Sequence, residues 1–268
     1  MAFLVVNGLR IYYEVHGQGD PVLLLHNGFS CAKMWADIYP GLVENGYLAV
    51  MYDRRGYGRS ERGPEFESHY LGDRFRRAAV EELTALVEQL GLATVDIVGQ
   101  CEGGVLAFDY ALKHPERVGS IITASTLCFS RETMTEFNAR KFPKSFIELP
   151  REVREKYIYW HGEDYAESFY LLCSRYGGEY GRDVFDLRPV LPAIRCPVLV
   201  LYPDRSYFFE VEQAVAFYRG LPEAELAVLP RCGHNIHEHY PGEYVRQVLS
   251  FLKRRRQGRP GRPRAEVL

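Results

Sequence analysis

The chain has 268 residues, of which 47% are hydrophobic and 25% charged, the balance of a soluble globular protein rather than a disordered or fibrous one. No apolar run reaches the 18 residues that a membrane-spanning helix needs, and the six cysteines include no CxxC pair. The N-terminal stretch has no basic leader or cleavage site. We therefore expect one cytoplasmic domain with reduced cysteines, whose first residues form strands of the mature protein.

Charge is distributed unevenly along the chain. The net charge is −2, but residues 253–264 carry seven basic and no acidic side chains, which leaves the remainder at about −9. A basic end of this kind is open to interpretation as a contact for nucleic acid or an anionic membrane. Its glycines and prolines favour a solvated, disordered tail at 256–268 instead, so we expect no nucleic-acid or membrane partner.

The first elements predicted from the pattern are two strands, at 3–6 and 9–15, with a hairpin turn at Asn7-Gly8. Apolar runs typical of strands buried on both faces then alternate with helical patterns. In chain order the remaining predicted elements are strand 21–26, helix 34–44, strand 47–53, helix 74–90, strand 95–98, helix 103–113, strand 118–124, strand 197–202, helix 210–219, strand 225–230 and helix 240–254. This order predicts an α/β fold with a largely parallel sheet and helices on both faces.

The alternation stops between residues 130 and 186, where the pattern predicts several short helices and no clear buried strand. An insertion before the last two strands is most simply a helical lid on a core formed by 1–129 and 187–255. We expect a few of its aromatic residues to line an apolar pocket that favours an aromatic or polyketide-like acyl group. These aromatic residues are Phe142, Phe146, Tyr157, Tyr159, Trp160, Tyr165, Phe169, Tyr170, Tyr176 and Tyr180.

A cysteine occupies the centre of the segment Gly99-Gln100-Cys101-Glu102-Gly103, directly after a predicted strand and at the start of a helix. The pattern G-x-nucleophile-x-G places a nucleophile on a strained turn, and the small flanking residues let the neighbouring backbone approach. At a helix N-terminus the dipole is expected to lower the thiol pKa and favour a thiolate. The alternative is a buried structural cysteine in a tight turn.

Two further loops complete this pattern. The strand ending at His26 leads into Gly28, whose N–H is expected to join that of Glu102 as an oxyanion hole, with Phe29 as the second choice for the loop donor. His26 itself is expected to brace the loop. His234, in a loop after the last strand, stands where a nucleophile, acid, base order places the base.

The segments "HNG", "YDRRGYGRS", "VGQCEGG", "HPERV" and "CGH" occur in this order across almost the whole chain. Together they resemble the α/β-hydrolase superfamily. That resemblance implies an eight-stranded sheet, a cap over the site, Cys101 as nucleophile and His234 as base, with no metal and no organic cofactor. Most such proteins carry serine at the elbow. A minority, similar to dienelactone hydrolases and polyhydroxyalkanoate synthases, carry cysteine.

The acidic member of a triad is not evident. The segment "LYPDRSYFF" resembles the family loop that ends in the triad acid, but Ser206 stands at that position. Asp204, two residues earlier, is one candidate and Glu132 is another. The third alternative is that no carboxylate takes part and that Ser206 or the backbone orients His234, because an imidazolium–thiolate pair forms with little help from an acid.

Other polar residues favour structural interpretations. His237 and His239 are expected to be exposed at the start of the last helix rather than to bind a metal, which needs three convergent ligands. The polar loop 53–60 after a strand is expected to brace the fold.

Taken together, these features predict an acyl-transfer enzyme. Its default reaction is hydrolysis of an ester, lactone or thioester through Cys101, on a small-molecule or carrier-bound acyl substrate. The alternatives are an acyltransferase or cyclase that releases a carrier-bound chain, a lyase or isomerase in which His234 moves protons, and a non-catalytic ligand-binding pseudo-hydrolase. The sequence leaves the oligomeric state open.

Overall fold

The computed structural model describes residues 2–176 and 184–257. Its strands are β1 (Ala2–Val6), β2 (Leu9–Gly17), β3 (Asp20–Leu25), β4 (Tyr47–Tyr52), β5 (Val95–Gln100), β6 (Val118–Ala124), β7 (Phe129–Thr133), β8 (Val184–Asp186), β9 (Val198–Pro203) and β10 (Ala224–Leu229). Its helices are α1 (Tyr39–Glu44), α2 (Phe66–Tyr70), α3 (Phe75–Gln89), α4 (Glu102–Lys113), α5 (Met134–Lys141), α6 (Arg151–His161), α7 (Glu163–Tyr176), α8 (Glu212–Gly220), α9 (Ile236–His239) and α10 (Pro241–Gln257).

Within these ranges one sheet contains eight strands in the order β1-β2-β4-β3-β5-β6-β9-β10. From β4 to β10 all neighbours are parallel, whereas β2 runs antiparallel to both β1 and β4. The turn at Asn7-Gly8 joins β1 to β2, and both residues have positive φ, as a two-residue hairpin turn requires. The predicted fold, a mostly parallel eight-stranded sheet flanked by helices, is confirmed.

Helices cover both faces of this sheet. In β3, Leu23 and Leu25 belong to the apolar cluster beneath α3, α4 and α8, whereas Val22 and Leu24 belong to the cluster beneath α1 and α10. Successive side chains of a strand point to opposite faces, so a continuous apolar run is what a strand with two covered faces needs.

The largest differences from the predicted helix boundaries lie at the start of α1 and the end of α10. The helix expected at 34–44 begins only at Tyr39, with Pro40 in its first turn, where a residue without an N–H is favoured. The last helix was expected to end at residue 254, but α10 reaches Gln257, and Arg256 forms an ion pair with Asp20 at 2.8 Å. The rest of the predicted tail, 258–268, lies outside the described residues.

The segment between β6 and β9 contains α5, α6 and α7 and the short antiparallel ribbon of β7 and β8. The helices α6 and α7 pack on aromatic residues of the core, including Tyr57, Tyr70 and Phe75. Of the aromatic residues predicted for a lid, Tyr180 and the side chain of Tyr176 lie outside the described residues. No helix in the described ranges is both long enough and apolar enough to cross a membrane.

The parallel strands bring four loops to one edge of the sheet. The carboxyl ends of β3, β5, β9 and β10 lead directly to residues 26–30, 101–102, 204–209 and 231–235. In open α/β sheets ligands bind at this edge.

Candidate active site

Cys101 lies on a sharp turn between β5 and α4. Its backbone has φ 54° and ψ −116°, which a non-glycine residue rarely adopts, and its N–H donates to the Ala124 carbonyl oxygen at 2.8 Å. The turn needs glycine on both sides. A Cβ on Gly99 would overlap the Gly103 backbone, and a Cβ on Gly103 would overlap the Leu25 carbonyl oxygen. The side chain of Cys101 therefore stands above the sheet edge at the first turn of α4.

The loop after β3 leaves one backbone donor open. Asn27 Oδ1 accepts from the N–H groups of both Phe29 and Ser30 at 2.9 Å. The N–H of Phe29, the second choice as an oxyanion donor, is therefore already used. No hydrogen bond within the described residues uses the N–H of Gly28.

A buried ion pair underlies this loop. Arg54, in the loop after β4, is 4% exposed and binds the carboxylate of Glu102, whose side chain is 14% exposed. Arg54 also donates to the Asn27 carbonyl oxygen at 2.9 Å. His26 braces the same loop, because its Nε2 accepts from the Arg54 backbone N–H at 3.1 Å and its Nδ1 lies 2.7 Å from the Asn27 carbonyl oxygen. The sequence predicted a bracing role for residues 53–60 but not the pair with Glu102.

His234 is held by hydrogen bonds to its backbone and its ring. Its carbonyl oxygen accepts from Ser125 Oγ at 2.7 Å and Gln100 Nε2 at 3.1 Å. Its ring packs edge-on against Phe208 and Phe209. The loop thus presents the imidazole from a fixed position.

Ser206 is the side chain that reaches His234 Nδ1, with its Oγ at 3.1 Å. Asp204 is exposed, accepts from the Cys232 N–H at 3.0 Å and pairs with Arg205, so the structure does not bring its carboxylate to His234. The reason is the loop geometry, which turns these two residues to different sides. Glu132 pairs instead with Arg140.

The pKa values of the Cys101 thiol and the His234 imidazole are both shifted towards the neutral form. Burial, reinforced by the charge of Glu102, raises the pKa of Cys101 to about 12, although the Glu102 N–H opposes the shift. Burial and the nearby His237 lower the pKa of His234 to about 3. The expected lowering of the thiol pKa is therefore wrong, because desolvation of the thiol outweighs the effect of the helix N-terminus, and both shifts disfavour an imidazolium–thiolate pair.

An apolar cavity of about 310 Å³ lies between the sheet edge and the segment from β7 to β8. Cys101 and His234 both line it, with Gly28 and Glu102 beside them. Its aromatic lining consists of Phe29, Tyr70, Phe137, Phe142, Tyr157, Trp160, Tyr170, Phe185, Phe208 and Phe209. Four of these are among the aromatic residues predicted for a lid, whereas Tyr70, at the end of α2, and Phe208 and Phe209, in the loop after β9, carry no sequence signal for this role.

His161, at the end of α6, links the segment between β6 and β9 to two core loops and was not singled out by the sequence. Its Nδ1 accepts from the Gly58 N–H at 3.1 Å, and its Nε2 therefore donates to the Phe29 carbonyl oxygen at 2.9 Å. The ring also stacks on Phe169 at 3.8 Å between centroids. His161 thus connects the loop that carries Gly28 to α6.

We expect the protein to lose stability as the pH falls from about 6.5 towards 4. Burial lowers the pKa of His161 from 6.5 to about 4, so the unfolded chain binds a proton at a higher pH than the folded protein does. Neutral His161 therefore contributes up to about 3 kcal/mol to the free energy of unfolding, and this contribution is complete only above pH 6.5. Urea unfolding from pH 7.5 to 4.5 measures this. His161→Gln, which does not titrate, should reduce the decline by up to this amount, and an unchanged slope in that variant would contradict the assignment.

The other histidines near the last helix do not form a metal site. His239 is exposed, as predicted, but His237 is 2% exposed and packs against Trp35, so its predicted exposure is wrong. The short helix α9 turns it inward. Across residues 2–176 and 184–257, no group of three histidine, cysteine, aspartate or glutamate side chains is placed to hold a metal ion.

Comparison with known proteins finds similarity to hydrolases both by sequence and by structure. A family model described as alpha/beta hydrolase fold matches residues 20–173. The chain is 24% identical over 274 residues to 2-hydroxy-6-oxo-6-phenylhexa-2,4-dienoate hydrolase from Burkholderia cepacia, covering 92% of each chain. It is 25% identical over 261 residues to the serine hydrolase BPHL from Homo sapiens, covering 94% of this chain and 86% of that protein. A solved meta-cleavage product hydrolase from Pseudomonas fluorescens aligns with a TM-score of 0.74 at 18% identity, covering 95% and 98% of the two chains.

Proposed function

Because the chain belongs to the α/β-hydrolase fold family, we propose that it hydrolyses a carboxylic ester, thioester or lactone through an acyl group carried on Cys101. The observation that carries this proposal is the strained turn that raises Cys101 into an apolar cavity lined also by His234. A residue is held in such a backbone conformation at a cost of about 1–3 kcal/mol, and residues of this kind cluster at active sites.

The proposed reaction assigns one role to each group. Cys101 Sγ bonds to the carbonyl carbon, and the thiol proton passes to His234 Nε2. The N–H groups of Gly28 and Glu102 donate to the oxygen that becomes negative. His234 then gives the proton to the departing alcohol, thiol or enol. A water molecule later attacks the carbonyl carbon of the thioester and gives its proton to His234, and the bond to Sγ breaks as His234 returns that proton to Cys101, which releases the carboxylic acid.

The cavity supports an aromatic or otherwise bulky apolar acyl group as the substrate. Its volume of about 310 Å³ lies at the lower end of the range for small-molecule sites, and its walls are largely aromatic. The relative from Burkholderia cepacia is named for a substrate with a phenyl group, which is in line with this lining. A carrier-bound thioester and an acceptor other than water belong to the same proposal, since the acyl-enzyme is itself a thioester.

A second candidate is a lyase or isomerase that uses His234 for proton transfer without an acyl-enzyme. The neutral Cys101–His234 pair and the serine at the expected acid position favour it. It differs from the first candidate in one measurable respect, because it leaves no covalent adduct on Cys101.

We expect intact-mass spectrometry to detect an acyl adduct after incubation with p-nitrophenyl benzoate or a benzoyl thioester. Cys101→Ala should abolish the adduct and lower hydrolysis by at least about 10³-fold, because the bond-forming atom is gone. Cys173 provides a matched control, since it is a second cysteine in the same cavity and burial raises its pKa as well.

Cys173→Ala should retain the adduct. Persistence of the adduct in Cys101→Ala would overturn the assignment of the nucleophile. Turnover by the wild-type protein without any adduct, combined with loss of turnover in His234→Gln, would favour the second candidate.

A further inference from the structure

The hydroxyl group of Ser206 has three polar neighbours. The N–H groups of Phe208 and Phe209 both donate to its Oγ, at 3.2 and 3.1 Å, and His234 Nδ1 lies 3.1 Å from the same atom. A hydroxyl oxygen offers two lone pairs and one hydrogen. The two backbone donors account for both lone pairs.

The direction of the bond to His234 follows from this count. If Nδ1 carried a hydrogen, three N–H groups would converge on one oxygen, and the hydroxyl hydrogen would have no acceptor among the described residues. If Nδ1 is bare, the hydroxyl hydrogen points at it and every group has a partner. Ser206 Oγ–H therefore donates to His234 Nδ1.

The same rule fixes two other buried histidines. The Arg54 N–H donates to His26 Nε2, and the Gly58 N–H donates to His161 Nδ1, which in each case places the ring hydrogen on the other nitrogen. A neutral imidazole carries one N–H only, so the neighbour of one nitrogen sets the state of the other.

We propose that Ser206 is a positioning residue, which binds Nδ1 of neutral His234 and so holds the ring hydrogen on Nε2. In this tautomer His234 Nε2 donates a hydrogen bond and does not accept a proton. A carboxylate at residue 206 would impose the opposite tautomer, because it only accepts.

The consequence for catalysis rests on the proposed function. Only the minor tautomer, with its hydrogen on Nδ1, takes the Cys101 proton on Nε2, so Ser206 restrains attack by the thiol. In a serine protease whose triad aspartate is replaced by asparagine, the wrong tautomer lowers kcat by about 10⁴-fold. The loop is already suited to an acid, since the N–H groups of Phe208 and Phe209 that now donate to the hydroxyl are able to donate to a carboxylate.

Long-range ¹H–¹⁵N correlation spectra at pH 7.5 test the tautomer directly. With the His234 signals assigned by their loss in His234→Gln, the wild-type protein should show a hydrogen on Nε2 and a bare Nδ1. Ser206→Asp should show the hydrogen on Nδ1. A wild-type protein with the hydrogen on Nδ1, or an unchanged tautomer in Ser206→Asp, would overturn the proposal.

Ser206→Ala keeps the test decisive if Ser206→Asp does not fold. Without the hydroxyl donor, the Nδ1 signal should move towards that of an imidazole nitrogen with no hydrogen bond, and an unchanged signal would overturn the proposal. The hydrolase assignment is tested separately by the rate of acylation of Cys101 with p-nitrophenyl benzoate, which Ser206→Asp should raise by 10-fold or more. If the tautomer changes while neither protein acylates, the proposed function fails and the role of Ser206 stands.

Discussion

Replacement of Glu102 by glutamine is expected to lower the free energy of unfolding by about 3–5 kcal/mol, because it leaves the buried charge of Arg54 without its hydrogen-bonded counterion. Arg54 is 4% exposed, and Glu102 is the carboxylate that hydrogen-bonds to it, whereas its other hydrogen-bond partners are the uncharged Asn27 carbonyl and the ring of His26. Glutamine has nearly the shape of glutamate, so the change isolates the charge. Urea unfolding of the two proteins at pH 7.5 measures the difference.

A matched control is available on the surface. Arg77 and Glu81 form an ion pair on α3 with side chains that are 76% and 42% exposed, so Glu81→Gln should cost less than about 1 kcal/mol. The double variant Arg54→Met/Glu102→Gln removes both buried charges and should lose less stability than the two single variants added together. Equal costs for Glu102→Gln and Glu81→Gln would show that burial does not set the strength of the inner pair.

The same ion pair connects stability to the site. The Glu102 carboxylate packs against Gly28, where an added Cβ would lie 2.6 Å from Oε2. Arg54 holds both the Glu102 side chain and the Asn27 carbonyl, so one guanidinium joins the turn after β5 to the loop after β3. Arg54 therefore fixes the two proposed oxyanion donors relative to each other. Nothing in the sequence distinguishes Arg54 from any other arginine in a loop.

Much of the fold was predictable because its signals are local. Asn7-Gly8 specifies a turn with two positive φ angles, and the runs that form β3 and β9 are apolar on both faces. Glycines at both sides of Cys101 indicate a close backbone approach, and the structure contains that approach. Each of these features is set by a few neighbouring residues.

The parts of the site that the sequence missed depend on residues far apart in the chain. The thiol pKa follows from burial of Cys101 in the folded chain, not from the helix N-terminus that the sequence displays. The distinction between Asp204 and Ser206 rests on which way an irregular loop turns each side chain. His161 acquires its role only because α6 returns to residues 29 and 58. Such contacts cannot be predicted from a pattern of neighbouring residues.

Gly103→Ala is expected to lose about 3 kcal/mol of stability or more, or to prevent folding, because its Cβ would meet backbone rather than a movable side chain. The new atom would overlap the Leu25 carbonyl oxygen and lie 2.7 Å from that of His26. Alanine has a higher helix propensity than glycine, so propensity alone would predict a gain in stability. Circular dichroism and urea unfolding measure the outcome.

Gly242→Ala is the matched control, since Gly103 and Gly242 are each the second residue of a helix. A Cβ on Gly242 has nothing within 4 Å, so stability should stay the same or rise by up to about 1 kcal/mol. The contrast separates close approach from helix propensity.

Because the same contact brings the first turn of α4 against the end of β3, a folded Gly103→Ala protein should also acylate Cys101 more slowly, through separation of the Gly28 and Glu102 N–H groups. Unchanged stability and unchanged acylation in that protein would show that neither the fold nor the reaction requires this approach.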